Sequence, residues 1–420
     1  MIQIIRGFKD ILPGETELWQ EIEGRARSLF DDFGFKEIRI PVLEKSELFA
    51  RSIGEDTDIV EKEMYTFEDR KGELITLRPE ATASIVRAFI QHTLYLKDPV
   101  QKLYTVGPMF RRERPQKGRY RQFYQINAEI LGVGSALSDA ELIFILVTLF
   151  SRLSVKSMDV HINSLGCPIC RPAYRKALNG YLEKTGPVLC ADCARRRIKN
   201  PLRVLDCKVP SCREAMSNAP AMADFLCSEC RSHFQQLMDA LSMLKIPFIP
   251  DRNLVRGLDY YTRTTFEIQT TFLGAQNAVA GGGRYDGLVQ ALGGPQTPAT
   301  GFAIGFDRLV EVSELEGDSF VKTPHLFIAA LGERSRFKAF EWTCLLGQRG
   351  IRAEMEFGEK GLKSQMKQAD RLKAGFVLIM GDDELSSGSA VLKDMKTSAQ
   401  EHIPINGLVE VLTSRLNPSS

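Results

Sequence analysis

The sequence contains no apolar run long enough to cross a lipid bilayer. The longest, LIFILVTLF from Leu142 to Phe150, has less than half of the roughly 20 residues that a membrane-spanning helix needs. The first residues, MIQIIRGFKDILPGE, also lack the apolar segment and the small-residue cleavage site of a signal peptide. We therefore expect a cytoplasmic protein with no membrane partner, in which this run forms a buried helix preceded by the S-x-x-E capping box of Ser138 and Glu141.

The sequence also lacks an excess of charge of one sign. Its 55 Lys and Arg against 53 Asp and Glu give a formal net charge of +2. A net charge this small does not indicate whether the protein binds acidic or basic partners. Apolar residues make up 44% of the chain and charged residues 26%, as in a folded globular protein rather than a disordered one. The 420 residues are enough for two or three domains, each with its own core.

Cysteine is scarce outside one region, because eight of the nine cysteines lie between residues 165 and 235. This region shows little strand or helix periodicity at its edges, and we interpret it as an insertion that interrupts a core domain of residues 1–322. From residue 325 to 420, strand-like segments such as HLFIAAL and GFVLIM alternate with helix-like segments. That alternation predicts a small, separate α/β domain.

Two strand-like runs, KLYTVGPMFRRE and RQFYQINAEIL, flank a loop and predict a long β-hairpin. On the second strand, a period of two places Gln125, Asn127 and Glu129 on one face and apolar residues on the other. Five arginines crowd the preceding strand and the loop, where their planar groups suit phosphate oxygens. A solvated charge cluster would explain them as well, but the interleaved Tyr120 and Tyr124 favour contact with a nucleotide or RNA.

Three further segments suggest a ligand site. The segment RNLVRGLDYYTRTTFEI, Arg252 to Ile268, is strand-like, yet its Arg256 is costly to bury unless it is paired or faces a charged ligand; an edge strand with solvated charges is the alternative. In TGFAIGFDRL, Arg308 lies in the first turn of a predicted helix, where a cation is unfavourable unless an anion is near. The glycines of AGGGRYDG, Ala280 to Gly287, allow close approach of a ligand, although they are more often a turn or bulge, and they fit neither the dinucleotide nor the Walker pattern.

In this order, the segments resemble the three signature motifs of class II aminoacyl-tRNA synthetases, and specifically the histidyl-tRNA synthetase family of the bacterial type. The three motifs are GFKEIRIPVLEKSELFARS, GPMFRRERPQKGRYRQFYQINAEILG and GFAIGFDRL, and LVRGLDYYTRTTFE and AGGGRYDGL are similar to the histidine-specific signatures. The resemblance covers nearly the whole chain. It implies an α/β (α+β) fold: an antiparallel-sheet class II catalytic domain with an inserted small domain, followed by a C-terminal α/β anticodon-binding domain at residues 325–420.

The resemblance implies a ligase that activates L-histidine with ATP and then transfers histidine to the 3′ end of tRNA(His). Six residues match the family's histidine pocket: Glu80, Thr82, Gln125, Glu129, Tyr260 and Tyr261. By this match, the first three hold the α-ammonium, which needs hydrogen-bond acceptors. Glu129 and Tyr261 would read the two ring nitrogens of the imidazole, with Tyr260 beside them.

Three arginines match the family's ATP-binding and catalytic residues. Arg111 corresponds to the arginine that binds the α-phosphate, Arg308 to the one that holds the γ-phosphate, and Arg256 to a further arginine at the α-phosphate. The implied reaction is in-line attack by the histidine carboxylate on phosphorus, in which positioning and cationic stabilisation carry the catalysis. Mg²⁺ would be bound mainly by the phosphates of ATP.

The same resemblance implies contacts with tRNA and with a second subunit. The loop that follows the first hairpin strand should meet the acceptor end of tRNA, and Gln116 and Arg119 are our candidates for reading its extra 5′ nucleotide. We expect a homodimer built through the first motif. One alternative is an inactive relative that serves as the regulatory subunit of ATP phosphoribosyltransferase, but the retained arginines and the C-terminal domain argue against it. A second alternative is a general RNA-binding protein, which would not explain the ordered polar face of the hairpin.

The cysteines leave their role open. Three C-x-x-C pairs and two further cysteines have the spacing of zinc ligands, whereas disulfides are disfavoured in a reducing cytoplasm. Similar insertions in the family often lack a full cysteine set, so no metal site is assigned from the sequence. The eight residues concerned are Cys167, Cys170, Cys190, Cys193, Cys207, Cys212, Cys227 and Cys230.

Overall fold

The computed structural model describes residues 1–54, 57–115, 118–273 and 277–416. The chain divides into two units, Met1–Gly317 and Asp318–Ser420. Among the described residues, no helix has the length and apolar character needed to cross a membrane.

The helices of the first unit are α1 (Thr16–Asp32), α2 (Ser46–Ile53), α3 (Thr82–Gln91), α4 (Leu94–Lys97), α5 (Ala136–Arg152), α6 (Arg171–Thr185), α7 (Ala191–Lys199), α8 (Pro210–Met216), α9 (Ser228–Met243), α10 (Leu288–Ala291) and α11 (Phe306–Val312). Its strands are β1 (Lys36–Glu37), β2 (Leu43–Lys45), β3 (Tyr65–Glu68), β4 (Leu74–Leu77), β5 (Gln101–Phe110), β6 (Gln122–Leu131), β7 (Met158–Ser164), β8 (Ile249–Pro250), β9 (Thr262–Thr270), β10 (Ala278–Arg284) and β11 (Ala299–Gly305).

An eight-stranded sheet organises the first unit, in the order β1-β5-β6-β11-β10-β9-β7-β8. The two edge pairs are parallel, and the strands between them pair in antiparallel fashion. This confirms the predicted antiparallel sheet. The predicted hairpin is also confirmed, because β5 and β6 pair along their whole length, with Gly107 opposite Gln125. A smaller sheet has the order β2-β4-β3.

The two faces of the large sheet differ in chemistry. One face carries apolar side chains such as Ile126, Phe266 and Phe302, which form a buried core with residues of α1, α5, α9 and α11. Burial of this apolar surface is the main stabilising contribution. Because side chains alternate along a strand, the opposite face is left for polar groups.

The start of α5 differs from the prediction. The helix begins at Ala136, and the Ser135 side chain caps it by accepting a hydrogen bond from the Leu137 amide at 3.2 Å. Ser138 lies inside the helix and donates to the Ser135 carbonyl, while Glu141 pairs with Lys102 at 2.7 Å. The predicted capping box is therefore wrong, because Ser135 takes the capping position two turns before the apolar run.

The cysteine-rich region is more helical than its weak periodicity suggested. It contains α6, α7, α8 and the beginning of α9, joined by short 3₁₀ turns. A small set of apolar side chains is buried between them, among them Tyr174, Leu178, Val204 and Met216.

The second unit is an α/β structure, as predicted. Its helices are α12 (Glu333–Gln348), α13 (Leu362–Arg371), α14 (Asp382–Ser387) and α15 (Leu408–Leu416). Its strands are β12 (Leu326–Leu331), β13 (Ala353–Met355), β14 (Phe376–Gly381), β15 (Ser389–Asp394) and β16 (Gln400–Pro404), and they form a sheet in the order β13-β12-β14-β15-β16. Buried side chains lie on both faces of the sheet, with Trp342 and Leu346 of α12 on one face and Ala369 of α13 on the other.

A buried charge network ties β10 to α5 and α9. The Arg284 guanidinium, which is fully buried, donates to Asp139 at 2.7 Å and to Asp286 at 3.0 Å. The other Asp139 oxygen lies 2.8 Å from the His233 ring. Burial acts to raise the pKa of Asp139, but His233 and Arg284 outweigh it and hold that pKa below its usual value.

We expect Arg284→Met to destabilise the protein by about 3–5 kcal/mol, because it leaves the Asp139 carboxylate buried without its main partner. Urea unfolding followed by circular dichroism would measure the loss. The exposed Arg195, which pairs with Asp192 within one helix turn, provides the control, since Arg195→Met should cost at most about 1 kcal/mol. Equal effects of the two substitutions would contradict a structural role for the network.

Candidate active site

The polar face of β6 is buried in the structure. Gln125, Asn127 and Glu129 are each less than 10% exposed and lie on the side of the sheet opposite the apolar core. Burying three polar side chains on one strand is costly unless they find partners. Among the described residues, the Gln125 Oε1 atom and both polar side-chain atoms of Asn127 have no hydrogen-bond partner. Gln125 also lines a cavity, so its Oε1 atom is free to accept a hydrogen bond from a ligand there.

Glycines on the neighbouring strands make room for this face. A Cβ atom at Gly301 would collide with the Glu129 carboxylate, and one at Gly281 would collide with the Arg256 guanidinium. Both glycines lie within extended strands that pair across the sheet. The glycine triplet thus lies in a strand rather than a turn, with an irregularity in the pairing between Gly283 and Arg284. The side chains absent at Gly281 on β10 and at Gly301 on β11 leave the space that the two charged groups fill.

Glu80 and Thr82 lie at the start of α3, directly beside Glu129. The Glu80 carboxylate accepts hydrogen bonds from the backbone amides of Thr82 at 2.7 Å and Ala83 at 2.9 Å. Thr82 in turn donates its hydroxyl to Glu129 Oε1 at 2.7 Å. Burial raises the pKa of Glu80.

Tyr285 is the second partner of Glu129, and sequence reasoning missed it. Its hydroxyl donates to Glu129 Oε2 at 2.5 Å, so each carboxylate oxygen has one donor and keeps capacity for another. Burial raises the pKa of Glu129 to about 8. The signal in the sequence was the position of Tyr285, two residues after the glycine triplet.

Tyr260 and Tyr261 complete an aromatic wall, as their place in the sequence suggested. Their ring centroids lie 4.8 Å apart, and the Tyr260 ring meets the Tyr285 ring edge-on at 5.6 Å. Burial raises the pKa of both the Tyr260 and the Tyr261 phenols. The wall therefore presents neutral hydroxyl groups beside a buried carboxyl group.

The three predicted phosphate-binding arginines converge. Arg111, Arg256 and Arg308 all line one cavity of about 490 Å³. Arg111 is oriented by a hydrogen bond to the Pro79 carbonyl at 2.9 Å, and Arg308 by one to the Ala278 carbonyl at 2.7 Å. Burial lowers the pKa values of Arg111 and Arg308, and each is lowered further by the charge of a neighbouring arginine. A cavity with this crowding of cations favours an anionic ligand.

Arg256 lies in a different local structure from the one predicted. β9 begins only at Thr262, so Arg256 lies in the irregular segment before the strand. Its guanidinium is held by Glu267 on β9 at 2.6 Å, a partner that sequence reasoning missed. Burial acts to lower the pKa of Arg256, but Glu267 and the neighbouring tyrosines raise it above its usual value.

The two residues proposed for tRNA have different outcomes. Arg119 forms an ion pair with Glu113, and both residues line the cavity with the three arginines. Gln116 lies outside the described residues. Phe123, which the sequence did not single out, lines the same cavity and lies 5.3 Å beneath the Arg111 guanidinium.

The eight cysteines of the insertion gather in two groups. The outer cysteine set contains Cys167, Cys170, Cys227 and Cys230, and the inner cysteine set contains Cys190, Cys193, Cys207 and Cys212. Within each set, all sulfur atoms lie within 4.8 Å of one another. Spacing in the sequence showed the pairs but not which pairs would meet.

We expect the buried Glu129 carboxyl group to give the protein a distinct dependence of stability on pH. Because its pKa is about 8 in the folded state against an ordinary value of 4.5, the folded state binds more protons between these pH values, and stability falls as pH rises through this window. Thermal unfolding at pH 6 and pH 8.5 should show a drop in the wild type that Glu129→Gln largely removes. The exposed Glu47 gives the control Glu47→Gln, which should keep the drop; an unchanged drop in Glu129→Gln would contradict the raised pKa.

Comparison with protein families identifies relatives of both units of the chain. The model of histidyl-tRNA synthetase matches residues 7–172 and 193–309, and that of the anticodon binding domain matches residues 325–415. A histidine–tRNA ligase of Desulfatibacillum aliphaticivorans is 58% identical, over 99% of this chain and 100% of its own length. One of Desulfosudis oleivorans is 60% identical, over 99% of both chains.

A solved structure agrees with these relatives. The apo histidyl-tRNA synthetase of S. aureus superposes with a TM-score of 0.82 at 36% identity, covering 98% of this chain and 100% of its own. The fold, the two matched domains and the full-length relatives lead to one conclusion. This chain belongs to the histidyl-tRNA synthetase family.

Proposed function

We propose that the protein is a histidine–tRNA ligase, which forms histidyl-adenylate from L-histidine and ATP and then transfers the histidine to tRNA(His). One observation carries the proposal: a buried carboxyl group, Glu129, lies on the same polar face as Gln125, which in turn lines the cavity of three converging arginines. An amino acid with a polar ring fits the first region, and a polyphosphate fits the second.

The α-ammonium group of histidine finds acceptors near the start of α3. Gln125 Oε1 is buried without a partner among the described residues, and the Glu80 carboxylate is fixed by two backbone amides. A cation placed between these oxygens would satisfy Gln125 and would offset the cost of burying Glu80. These contacts would orient the α-carboxylate toward the arginines.

The imidazole would be read by Glu129 and the tyrosines. A ring N–H donates to Glu129, whose oxygens are already held in place by Thr82 and Tyr285, and the Tyr261 hydroxyl serves the second ring nitrogen. A side chain without these polar groups would leave the remaining hydrogen-bonding capacity of Glu129 and Tyr261 unused in a buried site. Sites of this kind discriminate by about 10⁴ or more.

The arginines would act on ATP, which enters with Mg²⁺ bound mainly to its phosphate oxygens. An oxygen of the histidine carboxylate forms a bond to the α-phosphorus, the bond from that phosphorus to the bridging oxygen breaks, and pyrophosphate leaves with the electron pair. Arg111 and Arg256 would neutralise charge at the α-phosphate and Arg308 at the γ-phosphate. No protein nucleophile is needed, because positioning and charge stabilisation suffice.

The second step requires tRNA at two places. A terminal ribose hydroxyl would attack the carbonyl carbon of the adenylate and release AMP, and Arg119 lines the cavity of the three arginines that the acceptor end must approach. Arg119 would exchange its ion pair with Glu113 for a phosphate or a base of the acceptor end. The α/β unit after residue 318 would bind the anticodon, and a tRNA substrate places the protein in the cytoplasm.

We also propose that the protein works as a homodimer. The small sheet, which includes part of the first motif, leaves apolar side chains exposed at Leu43, Phe67 and Leu74, between 44% and 54%. Neighbouring Val42 is also exposed. An apolar surface of this kind favours association with a second subunit.

The regulatory subunit of ATP phosphoribosyltransferase is the weaker alternative. A purely regulatory protein has no need for three partly buried arginines around one cavity, where their mutual repulsion is costly unless an anionic ligand binds among them. The match to the anticodon binding domain at residues 325–415 also fits a protein that binds tRNA.

Exchange of labelled pyrophosphate into ATP tests the first step without tRNA. We expect histidine-dependent exchange with the wild type and a loss of at least about 100-fold in Arg256→Ala, since removing one group that stabilises transition-state charge typically costs this much. Arg152, an exposed arginine near Asp32, supplies the control Arg152→Ala, which should retain full exchange. No exchange with the wild-type protein would sink the proposal.

The Glu129 pocket predicts a selective effect of Tyr285→Phe. Removing the hydroxyl leaves one buried carboxylate oxygen without its donor, at a cost of about 1–3 kcal/mol. We expect the KM for histidine in the exchange reaction to rise about 10-fold or more, with little change in the KM for ATP. Tyr95, whose ring packs against Phe89, gives the control Tyr95→Phe; equal increases in both KM values for Tyr285→Phe would argue against a role in reading histidine.

A further inference from the structure

The geometry of the outer cysteine set matches a metal bound by four thiolates. Cys167 Sγ lies 3.6 Å from Cys170 Sγ and 3.9 Å from Cys227 Sγ. A Zn²⁺ ion bound tetrahedrally by sulfur atoms about 2.3 Å away requires neighbouring sulfur atoms about 3.8 Å apart. Two C-x-x-C pairs that are far apart in the sequence thus meet at the spacing that one zinc ion needs.

The inner cysteine set repeats this arrangement independently. Cys190 Sγ lies 3.9 Å from Cys207 Sγ, and the Cys193 and Cys212 sulfur atoms lie within 4.8 Å of both. The inner set is nested in sequence between the two halves of the outer set. Of the nine cysteines in the sequence, eight belong to the two sets. The ninth, Cys344, is exposed.

Local backbone structure favours negative charge on these sulfur atoms. The amide of Cys227 donates to Cys170 Sγ, and the amide of Cys190 donates to Cys212 Sγ, both at 3.1 Å. Cys227 and Cys190 also precede the first turns of α9 and α7. The positive ends of helix dipoles and backbone N–H donors both stabilise thiolates and the anionic complex they form with Zn²⁺.

Other uses of the cysteines fit the geometry less well. A disulfide joins two sulfur atoms about 2.0 Å apart and leaves no reason for four to converge. A cluster of several irons has to fit between its cysteine ligands, whereas the sulfur atoms here are spaced for a single ion. Tetrahedral coordination by four sulfur ligands is typical of zinc in a structural site.

The position of the inner set connects it to the active site. Cys207 and Lys208 line the cavity of the three arginines. On α7, which follows Cys190, Arg196 also lines this cavity and pairs with Asp58 at 2.8 Å, and Lys199 pairs with Glu61 at 2.6 Å. The segment that carries the inner set is thus one wall of the proposed ATP site.

We propose that the insertion holds two structural Zn²⁺ ions, one in each cysteine set, and that the inner ion fixes the wall of the cavity that contains the arginines. The physical need is clear from the size of the insertion. Besides its cysteines, the insertion buries a modest set of apolar side chains, among them Tyr174, Leu178, Val204 and Met216, and units of this size often depend on metals or disulfides for stability.

Metal analysis of the full-length protein, purified from zinc-containing medium without added metal or chelator, tests the proposal. We expect two zinc ions per chain in the wild type, one in Cys167→Ser/Cys227→Ser and one in Cys190→Ser/Cys212→Ser. Cys344→Ser is the matched control and should retain two. Each ion needs four cysteine ligands. Less than about half an equivalent of zinc per wild-type chain, or iron in place of zinc, would overturn the proposal.

A second measurement on the wild type does not depend on how the variants fold. X-ray absorption at the zinc edge should show only sulfur neighbours at about 2.3 Å, and nitrogen or oxygen neighbours would overturn the assignment of four cysteines to each ion. Thiol titration should find Cys344 reactive in the native protein and the other eight reactive only as zinc is released. Fast reaction of all nine cysteines without metal release would also contradict the two sites.

Hydrogen exchange tests the role of the inner ion separately. In Cys190→Ser/Cys212→Ser we expect backbone amides of α7 and α8 to lose protection, while the strands of the eight-stranded sheet keep theirs. In Cys167→Ser/Cys227→Ser the loss should centre on the start of α6 and of α9. Unchanged protection of α7 and α8 in a variant that has lost one zinc ion would show that the inner ion does not fix this wall.

Discussion

The buried Glu129 carboxyl group is the feature on which the site depends. A carboxyl group can be buried in this sheet only because Gly301 provides the space beside it and because Thr82 and Tyr285 each donate to one of its oxygens. These partners come from a helix start and from the strand end that follows the glycine triplet. The antiparallel sheet therefore does more than support the site, since its register sets which groups can approach Glu129.

The same constraint extends to the phosphate-binding side. Gly281 provides space for Arg256 as Gly301 does for Glu129, and Glu267 on the adjacent strand holds the Arg256 guanidinium. Behind these strands, the Arg284 and Asp139 pair anchors the end of β10 to α5, directly next to Tyr285. The glycine-rich strand β10 thus has charged groups on both faces. Arg284 and Asp139 stabilise the fold on one face, and Arg256 lies toward the proposed substrates on the other.

Regular patterns in the sequence predicted much of this structure. Alternation on β6 identified its buried polar face, the long hairpin was evident from its two strand-like runs, and Arg308 was placed correctly in the first turn of a helix. Contacts between distant segments could not be predicted in this way. No local pattern encodes strand register or the path of the insertion. Register brings the Tyr285 hydroxyl to Glu129 and Glu267 to Arg256, and the path of the insertion groups the cysteines. Ser138 failed as a helix cap because Ser135, three residues earlier, had equivalent chemistry.

A crystal structure of the protein with L-histidine and a non-hydrolysable ATP analogue would test most directly whether Glu129 reads the substrate. We expect an imidazole nitrogen within hydrogen-bond distance of a Glu129 oxygen, about 2.7–3.2 Å, with Thr82 and Tyr285 still bound to that carboxyl group and the α-phosphate between Arg111 and Arg256. A histidine side chain bound elsewhere, with Glu129 contacting only its two present donors, would contradict the role proposed for this pocket.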